Sequence, residues 1–184
     1  IRLLKYFSLF KDKYIITGLY PEGPNVINYS KYCDESYIYS EGFFPVTNQN
    51  ILHYYGFLKI YFKQKNEIKK LLEDREFDLC IFNVVVMFWI VKWMKNKNIK
   101  SIIFIREMII PEFLRKLYYR LISGCGNFFI SVSDKLEKDF KAITGKNEIT
   151  TLYSSIEKEL NYESESENVK SQIMDSDFKK ILLS

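Results

Sequence analysis

Three apolar runs of strand length set the pattern of the chain: Asp78-Leu-Cys-Ile-Phe82, Ser101-Ile-Ile-Phe-Ile105 and Phe128-Phe-Ile-Ser-Val132. None alternates with polar residues, as expected of strands buried on both faces, and such strands belong to a parallel sheet covered by helices. A helix-length stretch follows each run, over 84–98, 111–123 and 134–144. The pattern predicts an α/β fold, a three-layer sandwich around a mainly parallel sheet.

The flanking segments extend this picture. Tyr14-Ile-Ile-Thr-Gly18 reads as a strand, Tyr37-Ile-Tyr39 as a short one, and Glu148-Ile-Thr-Thr-Leu-Tyr153 and Phe178-Lys-Lys-Ile-Leu-Leu183 as two more. Leu58, Phe62, Ile68 and Leu72 form a stripe on a helix spanning 51–74, with lysines around it. Ile1 to Phe10 puts Leu3, Leu4, Phe7 and Phe10 on one helical face and begins mid-pattern, so a strand is expected upstream. Pro111 suits the first position of its helix. Asp134-Lys-Leu-Glu137 has capping-box spacing, with Ser133 as the other candidate cap, and Gly145 provides the exit. Residues 159–176 lack apolar periodicity and read as an acidic linker or loop between a body at 1–158 and a strand at 177–184.

At 184 residues, with 47% hydrophobic and 17% aromatic content, the chain can bury one full core. The net charge of +4 conceals an asymmetry, because seven acids against two lysines between Glu157 and Asp177 leave a basic body. Basic surfaces serve nucleic acids or anionic membranes. Here the charge comes from lysine in a chain rich in Ile, Asn, Tyr and Phe, which reads as compositional bias, and no nucleic acid is expected. The mixture of aromatics and lysines at 53–63 allows peripheral contact with an anionic membrane; the plainer reading is a packed helix with a solvated basic side. Leu79 to Met94 is interrupted by Asn83 and Lys92 and is shorter than the ~20 residues of a span, so it reads as a buried strand and helix. Cys33, Cys80 and Cys125 lack ligand-like spacing, which suits reduced thiols in a cytoplasmic protein, at or near the inner face of the cell membrane.

Absent motifs narrow the chemistry. His53 is the single histidine, so neither a Cys/His zinc set nor a Ser-His-Asp triad is expected, and no metal is assigned. No Gly-x-Gly-x-x-Gly or P-loop follows a strand, and Gly124-Cys-Gly126 precedes one, so no cofactor is placed in this chain. In a parallel sheet, ligands settle beyond the carboxyl ends of the strands. That rule selects Asn83, Arg106, Glu107 and Ser133, with Asp134 beside it. Each has a plain alternative: Arg106 and Glu107 as an ion pair closing a loop, Ser133 or Asp134 as a helix cap.

The order Phe77-Asp-Leu-Cys-Ile-Phe-Asn83, Ile102-Ile-Phe-Ile-Arg-Glu107, Phe129-Ile-Ser-Val-Ser133 with its helix, and Ile149-Thr-Thr-Leu-Tyr-Ser-Ser-Ile-Glu157 resembles the N-terminal domain of GT-B-fold glycosyltransferases of retaining family four. The resemblance implies a Rossmann-like, acceptor-side lobe at 1–158 whose first strand lies upstream, and a donor-binding domain whose first strand is 177–184. It implies transfer of a sugar from a nucleotide-sugar, held outside this chain, to a cell-surface polysaccharide or lipid-linked glycan acceptor. Arg106, Glu107, Ser133 and Asn83 would then line the acceptor side of the cleft, none of them as nucleophile. The family's Asn-Gly before the crossover is Ser154-Ser155 here. A rival from another class is a non-catalytic Rossmann-like binding module that recruits a partner through its basic helix.

Overall fold

The computed structural model describes residues 12–40, 51–83, 85–109, 111–153 and 180–183, with the backbone alone for 51–60, 180, 181 and 183. The expected helix at Ile1–Phe10, the loop at 41–45 and the linker at 159–176 lie outside the described residues. The described chain forms β1 (Ile15–Pro21), α1 (Val26–Ser30), β2 (Glu35–Tyr39), α2 (Ile51–Leu72) and β3 (Leu79–Phe82). After a 3-10 turn at Val85–Met87 come α3 (Phe88–Asn96), β4 (Lys100–Ile105), α4 (Glu112–Ser123), β5 (Phe128–Ser131), α5 (Asp134–Thr144), β6 (Thr150–Thr151) and β7 (Lys180–Leu183).

The strands make one seven-stranded sheet in the order β2-β1-β7-β3-β4-β5-β6. Every described pairing in it is parallel. The α/β fold with a parallel sheet between helices is therefore what the continuous apolar runs predict, a Rossmann-like three-layer sandwich. Side chains alternate across the sheet with period two. One face collects Leu19, Cys80, Phe82, Ile103, Ile105, Phe129 and Leu182, and against it pack Ile68 and Leu72 of α2, Ile90 and Met94 of α3, Tyr119 and Ile122 of α4, and Phe140 of α5. The opposite face collects Ile16, Tyr20, Leu79, Ile81, Ile102, Phe104 and Ile130, with Tyr29 and Tyr32 packed on it.

The chain steps outward from β1 to β2, then re-enters at β3 and marches outward through β4, β5 and β6. The reversal falls on β7, which separates the two halves. Its register sets Thr17 and Cys80 on either side of Leu182. Lys180–Leu183, expected to open a second domain at 177–184, instead lies within this sheet between β1 and β3. Two parallel strands, β1 and β3, each present a row of backbone donors and acceptors to the gap between them. An apolar strand bonded on both sides satisfies both rows at once.

Smaller differences have local causes. The helix expected over 84–98 breaks into the 3-10 turn and α3, whose N-cap Met87 makes no side-chain cap bond. Pro111 sits at the N-cap of α4 in extended conformation rather than at the first helical position. Ser133, not Asp134, caps α5: its side chain accepts from the backbone N–H of Leu136. Gly145 ends α5 in the left-handed conformation that glycine adopts without strain. Gly18 is required by close approach, because a β-carbon there would collide with the Tyr20 ring. That ring carries its hydroxyl to Cys33 Sγ at 3.0 Å and Ser36 Oγ at 2.9 Å.

Candidate functional site at the carboxyl edge of the sheet

Because the strands run the same way, Asn83, Arg106-Glu107, Ser133-Asp134 and Leu152-Tyr153 all emerge from one edge. The rim is drawn together by backbone bonds as well: the Val132 N–H donates to the Ile105 carbonyl at 3.3 Å and the Leu152 N–H to the Ser131 carbonyl at 2.8 Å. Four residues chosen from sequence therefore share a rim, though not all touch.

Arg106 and Asn83 meet directly. The Arg106 Nη1 donates to Asn83 Oδ1 at 2.9 Å, linking the ends of β4 and β3. Arg106 is exposed and Asn83 half-buried. Among the described residues this is the one hydrogen bond of the guanidinium, which leaves further donors of its fork for a ligand. The local ion pair between Arg106 and Glu107 does not form among the described residues; Arg106 turns to the neighbouring strand instead. Glu107 is exposed, and its backbone carbonyl accepts from the Tyr119 hydroxyl at 3.5 Å, which anchors the loop to α4 while leaving the carboxylate outside.

Ser133 stands apart from that pair in role. Its Oγ accepts from the Leu136 N–H at 3.4 Å, so capping accounts for the hydroxyl oxygen. The positive end of the α5 dipole would attract an anion, but Asp134 and Glu137 occupy its first turn. Their charge opposes the roughly half-charge of the helix terminus, although Lys141 compensates that of Glu137.

Sequence reasoning missed a hydrogen-bonded chain beside it. The Tyr153 hydroxyl donates to Asp134 Oδ1 at 2.5 Å, which raises the phenol's pKa. Ser131 Oγ lies 2.6 Å from Thr151 Oγ1. Thr151 in turn donates to Glu137, which also receives the Lys141 ammonium at 2.6 Å. Bonds from Lys141 and then Thr151 hold the Glu137 carboxyl below its usual range. The tempting signal, Glu137 three residues after Asp134, suggested a cap partner; its bonds run to β6 and along its own helix instead.

No activated nucleophile accompanies these groups among the described residues. Cys33, Cys80 and Cys125 are buried thiols outside any disulfide. Burial pushes the thiols of Cys80 and Cys125 upward, at Cys125 in spite of Lys95, Lys92 and Lys146 nearby. Among the described residues no cluster of three His, Cys, Asp or Glu is placed to hold a metal ion, and no helix is long and apolar enough to cross a membrane. The arrangement can bind a polar ligand through an amide, a guanidinium, carboxylates and hydroxyls. Comparison with protein-family models, curated proteins and solved structures gives no match.

Proposed function

We propose that this chain is the acceptor-side lobe of a sugar transferase, whose rim receives a glycan or lipid-linked glycan while a nucleotide-sugar is held elsewhere in the complete enzyme. The supporting observation is the exposed Arg106 fork, tied to Asn83 at the carboxyl edge of a parallel sheet. A guanidinium with donors to spare, flanked by an amide and the exposed Glu107 carboxylate, suits the dense hydroxyls of a saccharide. The exposed Asp134 carboxylate adds an acceptor at the first turn of α5. The sequence resemblance to GT-B glycosyltransferases of retaining family four supports the same reading. On it, Arg106, Asn83 and Glu107 orient the acceptor, and Ser133 positions the α5 terminus beside it.

Ligand-observed NMR of the chain with a panel of neutral oligosaccharides tests this. Arg106→Ala should weaken binding about tenfold, the value of one charge-assisted hydrogen bond. Asn83→Ala should follow in the same direction, and in the complete enzyme both should lower sugar transfer while nucleotide affinity stays unchanged. Absence of saccharide binding, or variants that bind as the parent does, would overturn the proposal.

The second reading, a non-catalytic Rossmann-like binding module, is favoured by one observation. β7 completes the sheet from within, where the transferase reading would have 177–184 open another domain. Saccharide binding with no transfer by the complete protein would select it.

A further inference from the structure

The outer face of α4 carries an apolar ridge that nothing in the rim chemistry uses. Phe113, Leu117 and Leu121 are 64%, 50% and 37% exposed. Spaced four apart, they stand in one row along about 12 Å of helix. The opposite side of α4 is committed to the core through Tyr118, Tyr119 and Ile122. Half or more of Phe113 and of Leu117 is therefore left outside the core.

Cations border it on both sides. Lys116 and Arg120 each precede a ridge leucine and line the flank toward α5. On the other flank lies α3, whose Phe88 ring packs 6.1 Å from the Tyr118 ring. Its exposed Lys92 and Lys95 lie there, and Lys95 Nζ donates to the Gly124 carbonyl at 2.9 Å, beside the Leu121 end. Glu112 is the one acid on α3 and α4, and Lys116 pairs with it at 2.6 Å.

We infer that α4 and α3 dock on an anionic lipid surface, with Phe113, Leu117 and Leu121 entering the headgroup and acyl boundary and Lys92, Lys95 and Arg120 reaching lipid phosphates. A row of side chains on one helix is a convex ridge; a soft bilayer accommodates it, whereas a folded partner needs a matching groove. Apolar residues bordered by lysine and arginine are what an interfacial helix presents. Three side chains give little insertion by themselves, so the attraction depends on anionic lipid and weakens with salt. Phe62 and Lys63 of α2, both exposed, extend the same layer, since Tyr61 packs 6.0 Å from Trp89 of α3. α4 leaves the rim directly, so docking sets the Arg106 and Glu107 loop close to the bilayer, where a lipid-linked acceptor lies. The docking does not depend on the transferase reading.

The test is co-sedimentation of the whole chain with phosphatidylglycerol-containing vesicles and with pure phosphatidylcholine vesicles. Retention on the anionic vesicles, lost at high salt and absent on neutral ones, is the expected result. Lys92→Ala should weaken it about fivefold, as one interfacial charge does. Leu117→Ser and Phe113→Ser should weaken it by a similar or larger factor with unchanged thermal melting, since both side chains already face solvent. Equal retention on both vesicle types, no retention, or insensitivity to both ridge variants would overturn the inference. So would concentration-dependent dimerisation abolished by Leu117→Ser, which would assign the ridge to a second copy of the chain.

Discussion

Two buried phenols make alkaline stability a test of the packing. Tyr39 closes β2, and Tyr119 is fully buried on α4 with its ring 5.2 Å from that of Phe140. Burial pushes each hydroxyl up to about 12, and at Tyr119 the Asp139 carboxylate adds to the effect. An unfolded tyrosine loses its proton near pH ~10. Between those values the unfolded chain sheds a proton that the native chain keeps. The contribution of each phenol is therefore complete below about pH 10 and disappears as pH climbs toward about 12. Linkage sets the slope at about 1.4 kcal/mol per pH unit per group, or on the order of 5 kcal/mol for both across the window. That is a large share of the roughly 5–15 kcal/mol that stabilises a domain. Tyr20, hydrogen-bonded to Cys33 and Ser36, shifts in the same direction. Urea midpoints at steps from about pH 8 to 12 measure the loss, with ultraviolet absorbance reporting phenolate. The decisive comparison is with Tyr39→Phe/Tyr119→Phe, which removes the two hydroxyls and keeps every other residue. The double variant should lose less stability over the window by about the amount given above. Parallel losses in the two proteins would refute the assignment of buried, neutral phenols.

Three further substitutions probe the fold. Leu182→Ala, at a fully buried position of the strand between β1 and β3, should cost about 2–4 kcal/mol in urea unfolding, whereas exposed Ile27→Ala should stay within about 0.5; equal midpoints would remove β7 from the core. Arg115 Nε and Asp139 Oδ2 join α4 to α5 at 2.8 Å with side chains 14% and 23% exposed, and neither atom has another partner among the described residues. Asp139→Ala should cost about 2–3 kcal/mol by stranding the guanidinium, while Arg115→Met/Asp139→Leu should recover most of it; a double variant as unstable as the single one would contradict this. Gly18→Ala should cost about 1–3 kcal/mol by displacing the Tyr20 ring, and less when Tyr20→Leu has already removed it, so strictly additive costs would show that the ring is not the obstacle.

The elements legible in the sequence are those whose burial is complete. β3, β4 and β5 are apolar from end to end, or nearly so, because both faces are covered, and their common direction follows from that. The rim followed in turn, since parallel strands deliver their next residues to one edge. α1 escaped notice because Val26–Ser30 is only five residues long, buries none of them and lacks a side-chain cap bond. The bond from Arg106 to Asn83 was equally hidden: it depends on the register that sets Phe82 beside Ile103, and nothing in either local segment encodes that register. A four-residue apolar run such as Lys180–Leu183 announces a strand but carries no mark of the neighbours it will choose. Glu137 misled for a related reason, because cap spacing is a local signal and its Thr151 partner arrives from another strand.

The position of β7 has a consequence for biosynthesis. As the chain leaves the ribosome, β1 with β2 and then β3 to β6 emerge long before residues 180–183, so two partial sheets wait with facing edges unpaired. Such edges recruit stray strands, and the interval before the missing segment arrives is when a nascent chain of this topology depends most on chaperone protection.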